Sequence, residues 1–370
     1  MNAKSIIIET AHSLGFQKAV IASLEPLEAE RLFYEAWLAS GYAASMDYLK
    51  RNPEKRNSPA LLCPEAYSAI LLFASYYTKP PEDPGPQFGR VARYAVGFDY
   101  HLVLPQKLES LRAALEEKLG RAILGRVFSD DVELFEPALA SRHGLGFTGK
   151  NSLIIAPGLD GSYHFIAELF TDIPLEADRP YKGTCGGCVR CLTACPTKAI
   201  VGEKTVDANS CISFLTIENK AAIPTHLRAL LGPWVFGCDV CQEVCPYNQA
   251  SPETAWSEFR PESGVGHYLN LFDLLKIQDK KQFLALFGQT PLARPKRKGL
   301  LRNALVVLGN RLPDSGQKKI FDFLLTEQEP LLLEHAIWAL DLYSDSKPYL
   351  ERLYEKRAEC REMLNSCRQL

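Results

Sequence analysis

Eight of the eleven cysteines in this 370-residue chain fall between positions 185 and 245, at spacings that could hold metal. "CGGCVRCLTACP" (185–196) carries Cys185, Cys188, Cys191 and Cys195 separated by two, two and three residues, with Pro196 after the last. "CDVCQEVCP" (238–246) ends the same way on Cys245 and Pro246, but only Cys238 and Cys241 precede them. Thiolates at such short intervals can each reach a different iron of one [4Fe–4S] cluster, while the cysteine before the proline is carried to a second cluster. Cys185, Cys188 and Cys191 therefore take Cys245 as their fourth ligand. Cys238 and Cys241 receive Cys195 and still lack one thiolate. The position three residues before Cys238 is Val235, so the remaining ligand is Cys211, the only other cysteine of the region. A pair of four-cysteine zinc sites is the alternative, and would favour two separate Cys-x-x-Cys pairs per metal. The two Cys–Pro endings favour clusters. Cys63, Cys360 and Cys367 stand apart and read as plain thiols.

The spacing is that of bacterial ferredoxins, yet a ferredoxin alone would need far less chain. With 46% hydrophobic and 23% charged residues, the composition is that of a soluble globular protein of two or three domains. A net charge of −2 excludes a global polycation, so any nucleic-acid site must be a local patch. "MNAKSIIIETAHSLGF" reads as an amphipathic helix and not a signal peptide. No apolar run approaches the roughly 20 residues that span a bilayer. A cytoplasmic protein without a membrane partner is expected.

The elements that must position these residues divide the chain into three segments. Residues 1–175 alternate helical and strand-like stretches, an α/β domain in an α+β protein. "AYSAILLFASYYT" (66–78) has the length and continuous apolarity of a buried strand. A proline-rich loop follows at 78–89, and leucines at helical spacing predict a helix over 102–119. "SLIIAP" and "SYHFIAELF" flank "GLDG" as a hairpin would. Residues 176–255 form the ferredoxin-like two-cluster domain, and 256–370 are helical. There "RNALVVLGN" (302–310) and "EHAIWALDL" (334–342) match in register, which suggests a HEAT-like repeat; two ordinary amphipathic helices are the alternative.

Electrons delivered by clusters need a reaction, and a reduction needs protons. Asp130 and Asp131, at the end of the strand-like "AILGRVF", could serve as a general acid, although turn and capping roles are commoner for such residues. "RYAVGFDYH" (93–101) groups Arg93, Asp99, Tyr100 and His101, with Asp99 also placed to cap the following helix. "GLGFTGK" (144–150) imitates a dinucleotide or phosphate loop, but a helix-like stretch precedes it and Asn151 follows the lysine. It reads as a glycine-rich turn of close backbone approach. "ARPKRKGLLRN" (293–303) is basic without an acid, as phosphate binding requires.

Taken together, "EKRNSPALLCP", "RYAVGFDYH", "FSDD", "GLGFTGKNSLII", "GSYHFIAEL", the cysteine framework, "CISFLT", "FGCDVCQEVCPYN" and "RKGLLRNAL" resemble the epoxyqueuosine reductases over nearly the whole chain. These are tRNA-modifying enzymes related to cobalamin-dependent reductive dehalogenases. The resemblance implies reduction of epoxyqueuosine to queuosine at the wobble position of tRNAs with GUN anticodons (Asp, Asn, His, Tyr). It implies base-off cobalamin held by the N-terminal domain and fed by two [4Fe–4S] clusters. Asp130 aligns with the proton donor, and Asp99, Tyr100 and His101 with the pocket. Cobalamin contacts carry over onto Arg56, Asp130, Ile154, Ile166, Ser213, Cys238 and Asp239. Contacts with tRNA carry over onto Lys296, Lys298, Arg302 and Asn303. A monomer served by a flavodoxin or ferredoxin is expected. An iron–sulfur electron carrier and a cytosolic dehalogenase-like enzyme are the competing readings. No D-x-H-x-x-G motif occurs, so cobalamin rests on the resemblance alone.

Overall fold

The computed structural model describes residues 2–159 and 161–369. The chain forms two units, each built from separated stretches. The first holds residues 1–79, 98–207 and 240–263; the second holds 80–97, 208–239 and 264–370. The three consecutive segments read from the sequence are thus interleaved: residues 80–97 and 208–239 cluster with the C-terminal helices.

The first unit is organised by a four-stranded antiparallel sheet in the order Lys18–Ala22, Ser68–Ser75, His164–Thr171, Gly125–Phe128. All eight residues of Ser68–Ser75 are buried, as its continuous apolarity predicts for a strand covered on both faces. Helices Ala3–Ser13 and Tyr100–Leu119 pack together on this sheet. Tyr100–Leu119 buries Leu104, Leu108, Leu111 and Leu115; it starts on the Asp99 side-chain cap and stops at Gly120, whose φ is +66°. Another apolar cluster joins Val20, Leu71, Phe73, Phe128 and Phe170 of the strands to Leu139 and Ala140 of helix Glu136–Arg142 and to Ile154.

Among the described residues, the hairpin expected around "GLDG" is reduced to an Ala156–Gly161 bridge, and Ile154–Ile155 pairs back onto Phe147–Thr148 through a turn at Gly149–Ser152. His164–Thr171 has two buried faces and a neighbour on each side, so it belongs to the large sheet. Asp160 of that stretch, like the Cys367 side chain, lies outside the described residues.

In the second unit Phe88–Val91 runs between Trp234–Phe236 (parallel) and Tyr268–Asn270 (antiparallel), so a strand starts where the proline-rich loop ends. Five helices follow one another: Lys296–Arg311, Gly316–Thr326, Pro330–Asp341, Lys347–Lys356 and Glu359–Gln369. The first packs on the third, the third on the fifth and the second on the fourth. The two segments matched in the sequence lie on the first and third helices. They meet at Gly309, where a Cβ would stand 3.2 Å from Ala339 Cα.

Candidate active site and cluster ligands

In the first unit, Asp130 follows strand Gly125–Phe128 in a tight turn and adopts φ +56°, a left-handed conformation that costs an L-residue. The turn separates the two aspartates that the sequence left level. The Asp131 carboxylate folds back and accepts the Ser129 amide at 3.0 Å. Asp130 turns its carboxyl outward, two-thirds exposed, where the Tyr100 hydroxyl donates to Oδ2 at 2.5 Å. His101 Nε2 stands 3.8 Å from the same oxygen, and His101 Nδ1 is 2.8 Å from Asp99 Oδ1. Asp99 also accepts the His101 amide as the helix cap, so one carboxylate starts the helix and orients the imidazole. The Tyr100 ring is stacked between His101 and Phe165, with centroids at 4.1 and 4.4 Å. The hydrogen bond to Asp99 raises the His101 pKa above its ordinary value, and the charge of Asp130 adds to this. Asp99, Tyr100, His101 and Asp130 therefore form one proton-holding group at the head of a helix and the end of a strand. Arg93, grouped with them in the sequence, belongs to the second unit, where its backbone amide and guanidinium both bind Asp239 Oδ2 at 2.9 Å.

Two further acids lie behind this group. Glu136, nearly buried at the start of its helix, accepts the Asp130 amide through Oε1 at 2.8 Å. Glu168, fully buried on the central strand opposite Leu71 and Phe128, has neither carboxyl oxygen hydrogen-bonded among the described residues. Burial, and secondarily neighbouring acids, raises both pKa values well above the carboxylate range. The sequence reading missed both, although an acid inside the apolar strand "HFIAELF" was a visible signal.

Four of the eight candidate cluster ligands also lie in the first unit around one cavity, lined by Cys185, Cys188, Cys191 and Cys245 with Ile155 and Tyr247. Among the described residues, no three Cys, His, Asp or Glu side chains close on a single ion. The four thiols stand around a space instead, which suits a group larger than one atom. The glycine-rich turn supports this loop: Gly144 has φ +81°, and a Cβ there would lie 2.3 Å from the Arg179 carbonyl oxygen. The Lys150 amide donates to Cys185 Sγ at 3.4 Å. Cys245 is held from behind by Gln242, whose amide donates to Tyr76 Oη and Ser162 O, and by Asn248, which donates to Ser162 Oγ and Gln242 O. Cys195 ends helix Arg190–Ala194 and Cys241 lies in Val240–Glu243, both in the first unit. Cys211 caps helix Ile212–Ile217 and Cys238 follows strand Trp234–Phe236, both in the second.

Of the residues aligned with cobalamin contacts, Ile154 is buried in the apolar cluster and Ile166, half-buried on strand His164–Thr171, packs against it. The buried Arg56 Nε has no hydrogen-bond partner among the described residues. An apolar wall and an unsatisfied donor suit a large, amide-fringed macrocycle. Ser213 and Cys238 are partly exposed, whereas the Asp239 carboxylate is engaged by Arg93.

Arg302 and Asn303 do not lie on an RNA-facing surface. Both are fully buried. Arg302 donates to the carbonyls of Leu215, Asn219 and Ala221 at 2.6–2.8 Å, and Asn303 donates to those of Thr216 and Val235 at 2.7 and 3.0 Å. They tie the Cys211 helix and the strand before Cys238 to the helical segment, because otherwise unpaired buried carbonyls demand donors. Lys296 and Lys298 remain exposed, with Lys298 2.8 Å from Glu329.

Residues 184–248 match the 4Fe-4S double cluster binding domain, and residues 56–131 match the family described as epoxyqueuosine reductase QueG. The chain is 36% identical to the epoxyqueuosine reductase of Vibrio cholerae over 90% of both chains. It is 38% identical to that of Escherichia coli over 88% of this chain and 86% of the relative. Among solved structures, an epoxyqueuosine reductase bound to an epoxyqueuosine-modified tRNA-Tyr stem loop superposes with a TM-score of 0.89 at 30% identity, covering 99% of this chain and 98% of that one. The Bacillus subtilis enzyme, captured with its catalytic aspartate loop swung out of the active site, gives 0.88 at 30% identity, with 99% of both chains covered. The chain belongs to the epoxyqueuosine reductase family of oxidoreductases.

Proposed function

We propose that the protein reduces the epoxide of epoxyqueuosine in tRNA to the alkene of queuosine. The net reaction takes two electrons and two protons and releases water. The observation that carries this reading is the Asp130–Tyr100–His101–Asp99 group, a proton source in the same unit as a four-thiol cavity. Asp130 protonates the departing epoxide oxygen, Tyr100 orients its carboxyl, and the Asp99–His101 pair restores the proton. One cluster is held by Cys185, Cys188, Cys191 and Cys245, and the other by Cys195, Cys211, Cys238 and Cys241. In the first unit, Arg56, Ile154, Ile166 and Asp130 hold base-off cobalamin; Ser213, Cys238 and Asp239 are assigned to it by the family resemblance alone. When bound, that cofactor supplies a strongly reducing, nucleophilic cobalt. The C-terminal helices act as a HEAT-like platform whose Lys296 and Lys298 meet tRNA phosphates.

Electrons come from a small acidic carrier in the cytosol. Residues 179–198, which supply Cys185, Cys188, Arg190 and Cys191 to the cavity lining, contain the exposed Arg179, Lys182, Arg190 and Lys198 and no acid. That charge favours encounter with an anionic protein.

The test is anaerobic reconstitution with iron, sulfide and cobalamin, followed by the absorbance spectrum and turnover of wild type and Asp130→Asn. Both proteins should retain clusters and corrinoid, with epoxide reduction lost in the variant. Cluster absorbance without corrinoid would make the protein an electron carrier, and full turnover by Asp130→Asn would remove its assigned role.

A further inference from the structure

The Asp130 turn carries a feature that acid chemistry alone does not require. An L-residue at φ +56° is held there only if its surroundings over-determine it. Several hydrogen bonds restrain the turn, three of them through backbone amides at or beside Asp130 and at the far end of the turn. The Ser129 amide is taken by Asp131, the Phe135 amide donates to the Arg56 carbonyl at 3.2 Å, and the Asp130 amide is taken by Glu136. The last acts on the Asp130 backbone amide, whereas Tyr100 and His101 meet its carboxyl. The acceptor for that amide comes from helix Glu136–Arg142, whose Leu139 and Ala140 are buried in the apolar cluster on the sheet.

We infer that Glu136 is a positioning residue for the Asp130 acid: its carboxyl grips the Asp130 amide and fixes the left-handed turn that presents the Asp130 carboxyl to Tyr100 and His101. The inference rests on Asp130 being the acid of the proposed reaction. Glu168 determines the form in which Glu136 works. It is fully buried on the central strand, without a hydrogen-bond partner among the described residues, and it interacts electrostatically with Glu136. Burial, with the neighbouring acids adding to it, raises both carboxyl pKa values well above the ordinary carboxylate value and favours the protonated forms. Glu136 therefore grips as a neutral acid, through a carbonyl-type oxygen. A glutamine offers the same oxygen at the same reach. A proton relay through Glu136 would behave oppositely, since an amide cannot pass on a proton.

The experiment compares wild type with Glu136→Gln, Glu136→Ala, Glu136→Ser and Asp130→Asn. It measures kcat and KM on an epoxyqueuosine-bearing stem loop, and hydrogen exchange of the 128–135 peptide in the cluster-loaded protein without substrate. Glu136→Ala should lower kcat by about 30- to 100-fold, the cost of a misplaced catalytic group. Its KM should stay within about twofold, its cluster absorbance should be unchanged, and exchange at Asp130 should be faster. Glu136→Gln should retain kcat within about threefold and keep the amide protected, since its acceptor survives. Serine is too short to reach the amide but is compatible with a helix start; it should behave as alanine does, and it replaces alanine if that variant does not fold. Unchanged kcat in the shortened variants would overturn the positioning role, as would a glutamine variant as slow as alanine. Full turnover by Asp130→Asn would instead overturn the acid reading beneath it.

Discussion

At the residue scale, the chemistry is set by which carboxyls stay charged. Asp99 pairs with His101 and supports its proton, while burial raises the Glu136 and Glu168 pKa values and favours their protonated forms. Two pH dependences follow with defined sign. His101 has a raised pKa, so its proton persists above the ordinary value near 6.5 and is lost as pH rises through the folded-state value. Epoxide reduction should therefore fall on the alkaline side, and His101→Gln should abolish that limb of the kcat/KM profile. A carboxyl with a raised pKa binds a proton in the folded state that the unfolded chain releases, so stability falls as pH climbs from about 4.5 through the folded value. Glu168→Gln removes that loss. Its melting temperature should exceed that of wild type at about pH 8, with the gain shrinking at about pH 5. An equal gain at both would show that Glu168 is charged in the native protein.

At the scale of elements, the cysteine framework was legible because ligand spacing is a local property. The strand Ser68–Ser75 and the helix Tyr100–Leu119 were legible because their apolar period is local too. The partnering of elements was not. Ile154–Ile155 turned back to Phe147–Thr148 because the Gly149–Ser152 turn sits beside it, a preference that "GLDG" obscured. Arg302 and Asn303 read as part of a basic patch because sequence shows charge but not burial. Their donors are consumed by carbonyls of the Cys211 segment, more than 80 residues away in the chain. Burial lowers the Arg302 pKa to about 10, still charged at neutral pH. Arg302→Leu leaves those carbonyls unpaired and should cost about 3–5 kcal/mol in denaturant unfolding. Iron content should fall toward that of one cluster, since Cys211 loses its support. Wild-type stability in this variant would contradict the assigned bracing role.

At the scale of the whole molecule, a nearly neutral chain carries two local cationic surfaces with different proposed partners. Lys296→Glu with Lys298→Glu should weaken stem-loop binding and reduce the salt slope by about one for each phosphate that is no longer neutralised. Reduction of the clusters by a carrier protein should be unaffected. Lys182→Glu with Arg190→Glu should do the reverse, slowing cluster reduction by a flavodoxin about tenfold or more at low salt, with dithionite-driven turnover intact. Both pairs altering the same partner would merge the two surfaces into one.

The most direct measurement incubates the cluster- and cobalamin-loaded protein with a low-potential reductant and tRNA from a strain lacking this activity, then resolves the nucleosides by mass spectrometry. The account predicts conversion of epoxyqueuosine to queuosine, one oxygen lighter, by wild type and not by Asp130→Asn. Epoxyqueuosine left unchanged while both clusters become reduced would contradict it.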